Sequence, residues 1–347
     1  MNKNTKNTTV DIDYADQAVP KEGRKGFLTM FMIMLGFTFF SASMWVGQQM
    51  AAGLDFWGFI KSLLLGGAIL GVYTGLLGYV GAKTGLSMDL LAKRAFGEKG
   101  SYLSSAMISF TQIGWFGVGV AMFTIPVSGE LLGGSKAAMW ALVLVAGGCM
   151  TASAYFGIDS LTVVSYIAVP LVAILGTVAM VMAVRQGNGT IVDQFAVSSG
   201  SVTVIGGAGM VVGSFVSGGT ATPNFARFAK DAKSGTIATV VAFFIGNSLM
   251  FFFGAIAYIF VGGNDIFEVM IRLNLFYMAV LVLAYMIFIY SGAELPVSEA
   301  FLRAAVCQQC KPEHEAGALW KSDPQKSDGA SGRGCGKCND ESNPGCG

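Results

Sequence analysis

The chain has 347 residues, 53% of them hydrophobic and 12% charged, with 47 glycines and a formal net charge of +1. Soluble domains carry about 25% charged residues, so composition excludes an ordinary soluble enzyme and points to an all-α, polytopic membrane protein. A net charge this close to zero gives no reason to expect nucleic acid or another polyanion as partner, and it sets no oligomeric state.

Charged residues mark the spans. Uncharged runs occupy 26–54, 62–82, 100–129, 137–158, 160–184, 194–226, 234–264 and 273–293. Each is at least as long as the roughly 20 residues a helix needs to cross the hydrocarbon core. About eight transmembrane helices embedded in a lipid bilayer are therefore expected within 26–290, after a polar tail over 1–25. That tail and the length of the first apolar run do not fit a cleavable signal peptide.

The first run contains Leu35–Trp45, LGFTFFSASMW, which places glycine, paired aromatics and hydroxyls at bilayer depth. The stretch reads as a broken helix. Between the second and third runs, Met88–Gly97, MDLLAKRAFG, reads as a short amphipathic piece at the membrane surface. The third run carries Thr111–Val120, TQIGWFGVGV. Gln112 and Trp115 are three apart there and so share one helix side, while the glycines around them permit close helix approach. Trp115 is either packing or an aromatic platform, and Gln112 either an interhelical hydrogen bond or a ligand.

The sixth run holds the most unusual stretch, Val211–Asn224, VVGSFVSGGTATPN. Gly213, Gly218, Gly219 and Pro223 are expected to interrupt the helix, and Ser214, Ser217, Thr220 and Thr222 add hydroxyls. Irregular backbone at this depth is tolerated only where protein covers it or where it lines a cavity. Paired interrupted segments are the best sequence pointer to a transporter's binding site. Runs one and six are thus read as two broken helices facing one substrate, with Phe215 either lining the cavity or facing lipid. Ile266–Leu275 reads as a second surface piece.

Orientation follows from Lys and Arg. The N-terminal tail has Lys3, Lys6, Lys21, Arg24 and Lys25, the loop after run two has Lys83, Lys93, Arg94 and Lys99, and that after run six has Arg227, Lys230 and Lys233. The alternate connections hold only Lys61, Lys136, Arg185 and Arg272. The excess places the N-terminus in the cytoplasm.

No Asp, Glu, Lys or Arg stands out inside a span, and the one histidine, His314, lies in the tail. That argues against a proton pump built on buried carboxylates, and no nucleophile–base or metal cluster within the spans supports an enzyme. Backbone carbonyls, hydroxyls and aromatics suit Na⁺ and a neutral, planar substrate instead. No organic cofactor is expected.

From about Ser291 the chain turns polar, and 291–347 is expected to be disordered. It contains Cys307-x2-Cys310 and Cys335-x2-Cys338, separated by 24 residues. Paired CxxC is the spacing of a zinc ribbon, but the intervening residues lack strand-forming sequence, so an unstructured Cys-rich tail is the competing reading.

FFSASMW in run one, LGYVGAKTGL at Leu77–Leu86, TQIGWFGVGVAMF at Thr111–Phe123, GSFVSGGTATPNFARF at Gly213–Phe228 and AFFIGNSLMF at Ala242–Phe251 together resemble the bacterial cytosine permeases of the nucleobase–cation symport family. The resemblance runs from about Lys25 to about Ala284. It implies the five-plus-five inverted repeat of the leucine-transporter fold, a multi-pass place in the bacterial inner membrane, and Na⁺-coupled import of cytosine. It implies that Trp115 and Phe215 sandwich the base, that Gln112, Ser214 and Ser217 bond its edge, and that Gly36 and Phe39 offer carbonyls to Na⁺. Asn224 stands where these permeases usually carry an acidic residue. After Tyr285–Tyr290, YMIFIY, the family's eighth helix with its TTNDN-like segment is not recognisable. The resemblance therefore implies a truncated, inactive carrier with an incomplete second repeat. Other planar substrates (purine, hydantoin, thiamine) remain open, as does a non-transporting membrane protein whose Cys-rich tail senses metal or redox state.

Overall fold

A computed structural model describes residues 17–263, apart from 156, 188 and 196–198, together with Tyr14, Met270 and Leu275. Regular structure among them is helical: α1 Phe27–Thr38, α2 Ala42–Gly53, α3 Phe56–Thr84, α4 Met88–Leu131, α5 Lys136–Tyr155, α6 Gly157–Gln186, α7 Ile191–Phe195, α8 Val204–Thr220, α9 Thr222–Ala226 and α10 Ala232–Val261. Of these, α3, α4, α6 and α10 are long and apolar enough to cross a membrane, and α1 with α2, bent by 59°, passes as a fifth when the pair is taken as one span. The expected span 273–293, the surface piece at Ile266–Leu275 and the Cys-rich tail lie outside the described residues.

Local chemistry sets the helix ends. The side chains of Asp55, Ser87, Thr203 and Asp231 each accept a hydrogen bond from a first-turn amide, at Gly58, Leu90, Gly206 and Ser234 respectively. Such caps satisfy donors that have no partner inside the helix. At the other end α3 stops at Gly85, whose φ of 71° only glycine adopts freely. Gly97, with φ 73° and ψ −178°, kinks α4 and sets the amphipathic stretch from Met88 apart from the span that follows.

The first break falls at 39–41. The amide of Phe39 bonds the carbonyl of Gly36 at 3.1 Å, that of Phe40 bonds Thr38 at 2.9 Å, and that of Ser43 bonds Phe40 at 3.1 Å. Thr38 contributes to the interruption, because its hydroxyl donates to the carbonyls of Leu35 (2.8 Å) and, across to α10, of Ala242 (3.3 Å). The second break is narrower than the sequence implied. Helix α8 runs unbroken through Gly213, Gly218 and Gly219 and stops at Ala221. Pro223 then sits in the first turn of α9, where its missing N–H costs nothing. The paired glycines serve proximity: a Cβ on Gly218 would stand 2.9 Å from the Phe215 ring and 3.2 Å from that of Phe37.

The bent first span lies along α10 at very short range. Gly47 meets the main chain of Phe251, and Gly254 meets the main chain of Met44, with no room for a side chain at either place. Around that seam Phe37, Phe40, Phe215, Phe225 and Phe243 form the core, and Met50, Phe59, Phe195, Val211 and Phe251 form a second cluster beside it.

At the opposite end of α3 from Asp55, the N-terminal strap crosses the molecule. The amide of Val19 bonds the carbonyl of Gly85 (2.9 Å), and Arg24 Nη1 donates to the carbonyl of Ala82 (2.9 Å). Lys25 pairs through its main chain with Phe228 (2.6 Å) and Lys230 (2.9 Å), and Arg227 Nη1 donates to the carbonyl of Tyr14 (2.8 Å). Three basic segments distant in sequence thus meet at one end.

Candidate functional site

The first break and the residues singled out in runs three and six converge. Trp115, on α4, donates its indole N–H to Ser217 Oγ on α8 at 3.3 Å. Phe40, from the first break, stands edge-to-face on Trp115 with centroids 5.2 Å apart and an interplanar angle of 88°. It also stands edge-on to Phe215, at 6.3 Å and 78°. Three elements therefore meet at one aromatic corner, and the ring shared by Trp115 and Phe215 is Phe40. Sequence reasoning did not single Phe40 out, although the FF pair in a broken helix is the signal that marks it.

Phe215 is 2% exposed. It packs edge-on against Phe37 and Phe243, each with a centroid 5.3 Å away, so it faces neither lipid nor an open cavity here. Gln112 is 1% exposed, on the same side of α4 as Trp115. The glycines near it play no packing role: among the described residues no atom comes within 4 Å of a Cβ built on Gly114, Gly117 or Gly119. The expectation of close helix approach there is corrected. The tight contacts lie in α2, α3 and α10 instead.

The two serines present different chemistry. Ser214 donates its hydroxyl to the carbonyl of Val211, one turn back, at 2.8 Å, leaving lone pairs to accept. Ser217 accepts from Trp115, leaving its own proton to donate. Beside them Thr220 Oγ1 lies 2.7 Å from Tyr73 Oη, which ties α8 to α3. Gly36 and Phe39 flank the start of the first break; the Gly36 carbonyl already accepts the Phe39 amide and keeps one lone pair.

Asn224 lies away from this corner, toward the strap. Its Oδ1 accepts the amide of Met88 at 2.8 Å, at the start of α4. Next to it Asp89 is pushed above the usual carboxylate range by burial, against the opposing pull of the Ser105 hydroxyl and of the Arg227 charge. Sequence reasoning missed Asp89, because nothing in the amphipathic stretch shows which of its charges is covered.

Comparison with known proteins gives these residues a family. The family described as "Permease for cytosine/purines, uracil, thiamine, allantoin" matches residues 18–302, beyond Ala284, where the recognisable motifs end. The cytosine permease of Escherichia coli K12 is 45% identical over 273 residues, which is 79% of this chain and 64% of the relative; that of Escherichia coli O157:H7 gives the same values. The chain thus spans a little under two thirds of the length of these relatives. Among solved structures, Mhp1, a nucleobase-cation-symport-1 family transporter, in a closed conformation with bromovinylhydantoin bound, superposes with a TM-score of 0.68 at 18% identity. That match covers 85% of this chain and 70% of the other. Mhp1 in its inward-facing conformation gives 0.59 at 17% identity, covering 87% and 74%. These likenesses establish the fold as that of a multi-pass, helical membrane protein with an interrupted first span. Because the family match covers most of the sequence, the chain belongs to the family of permeases for cytosine and purines, uracil, thiamine and allantoin.

Proposed function

We propose that this fold serves secondary active import of cytosine, with Na⁺ as the coupling ion, across the inner membrane of a bacterium, its N-terminus in the cytoplasm. The observation that carries the reading is the Trp115–Ser217 hydrogen bond, which joins α4 to the second broken helix beside Phe40. It brings a π-face and a free hydroxyl proton to one place. A planar base stacks on the indole, the Ser217 proton meets its carbonyl oxygen, and Ser214 accepts from its exocyclic amine. Gln112, on the same side of α4 as Trp115, is placed to meet the remaining edge. For Phe215 to form the other face of a sandwich, Phe40 has to turn away from the corner, which ties base binding to movement of the first break. The carbonyls of Gly36 and Phe39 lie in that same break, the natural place for a coupled cation.

A purine, hydantoin or thiamine is the second reading for the substrate. It is favoured by the breadth of the family's description and by the bromovinylhydantoin bound to Mhp1. Competition binding with these compounds against cytosine separates the two.

Carbonyls from one segment supply too few oxygens to replace a sodium ion's hydration shell. The remaining ligands are therefore expected from another helix. Saturable cytosine uptake that requires Na⁺, in cells lacking their own permease, tests the proposal; uptake that is equal in choline chloride would overturn the choice of ion. The metal-sensing alternative for Cys307, Cys310, Cys335 and Cys338 stands or falls with zinc retained on purification and lost in Cys307→Ser with Cys335→Ser.

A further inference from the structure

Helix α10 carries one amide side chain in the middle of its buried face. Asn247 is 2% exposed, and neither its Oδ1 nor its Nδ2 has a hydrogen-bond partner among the described residues. Several of the residues that surround it on the helix surface touch the first span. Phe243, one turn before, lies 6.2 Å from the Phe37 ring, Gly246 abuts Thr38, Phe251 abuts Gly47, and Gly254 abuts Met44. Asn247 therefore faces the broken span.

The first span and α10 run alongside one another in the same direction: Thr38 bonds Ala242, and further along Gly47 meets Phe251, so that Ser43 and Asn247 both fall between these two contacts. Ser43 is 0% exposed, and its hydroxyl also lacks a partner among the described residues. Two buried, unpartnered polar side chains thus fall in the same stretch of one seam, without bonding each other.

Leaving such groups unpaired in an apolar interior is costly, so the seam is expected to hold something polar. The donor set decides what. The amide presents one donor end and one acceptor end whichever way it is flipped, and the serine presents a hydroxyl. A cation has no use for the Nδ2 donor, and with two side-chain oxygens it is short of ligands. A water molecule accepts from Nδ2, donates to Oδ1 and bonds the hydroxyl, the about three contacts typical of buried water.

We propose that Ser43 and Asn247 are the two walls of a buried hydration site, holding one bridging water that fastens the break of the first span to α10. The site is separate from Trp115, Ser214 and Ser217. A joint made through water lets the first span shift along α10 by exchanging bonds to a small, mobile partner, which a direct side-chain bond does not.

The test uses the full chain. A structure at a resolution that shows ordered water should reveal density within hydrogen-bond distance of Ser43 Oγ and the Asn247 amide. An empty seam, or a direct Ser43–Asn247 bond, overturns the proposal. Thermal melting of Ser43→Ala, Asn247→Ala and the double variant should show coupling, the double losing clearly less than the two singles combined; additive losses overturn it. Melting in sodium chloride and in choline chloride separates water from a cation. The penalty of Ser43→Ala should be the same in both, and a penalty seen only with sodium means that the seam binds Na⁺ and the water assignment is wrong. If Asn247→Ala does not accumulate, the density and the salt comparison still decide.

Discussion

Removing Trp115 tests the base clamp most directly, and two substitutions divide its contributions. Trp115→Phe keeps a ring beside Phe40 but deletes the N–H that Ser217 accepts. At 3.3 Å that bond is long for N–H···O, so its loss should cost about 0.5–1 kcal/mol, a twofold to fivefold weakening of cytosine binding. Trp115→Ala removes the platform as well. Base–aromatic stacking adds about 1–3 kcal/mol, so binding should fall roughly tenfold to several hundredfold in total. The assay is titration calorimetry with cytosine and Na⁺. Each variant's melting temperature is recorded beside its affinity. If Trp115→Ala binds cytosine as the parent does while still folded, Trp115 is packing and the clamp is refuted.

Three further outcomes are expected. Single cysteines at positions 136 and 185 should react with an impermeant reagent from the periplasmic side, and those at 93 and 230 should not; the reverse pattern would invert the orientation. Asp89→Asn should stabilise the protein near pH 7. A carboxyl whose folded-state pKa is raised contributes stability that is fully present below its unfolded pKa and is lost as pH rises through the folded value. The melting temperature of the parent should thus fall on going from acid to neutral pH by more than that of the variant, and parallel curves would refute the burial argument. Gly254→Ala should cost more than the usual 1–3 kcal/mol of overpacking, since its Cβ meets the main chain of Met44 rather than a side chain that can turn; denaturation of the purified variant measures it.

The membrane class and the broken first span were legible in the sequence, because long uncharged runs and polar interruptions within them leave few alternatives; that Trp115 and Ser217 belong together came only from the resemblance to the permease family. The second break was misplaced for a physical reason. Glycine marks either a place where the helix stops or a place where something comes close, and at Gly218 and Gly219 it is the latter. Gly114, Gly117 and Gly119 show the converse error, reading as contact points where among the described residues nothing approaches. Phe40, Asp89 and Asn247 could not be ranked beforehand, because their significance depends on which neighbour another helix brings. Phe40 is one of several phenylalanines in α1 and its break until Trp115 stands beside it.

The strap between Lys25 and the 228–230 segment has an evolutionary and mechanical consequence. It is built from main-chain groups, the amide of Lys25 to the carbonyl of Phe228 and the amide of Lys230 to the carbonyl of Lys25. These two bonds do not themselves depend on which side chains stand there, so their presence in a relative is not to be judged from identity at these positions alone. Proline at Lys25 or Lys230, which removes a donor, or deletion of the segment, is what unties it. The knot joins the chain entering α1 to the chain leaving α9, the outer ends of the two interrupted helices. Any motion that separates those ends has to break two peptide hydrogen bonds first, which makes this short crossing a threshold for opening that face of the molecule.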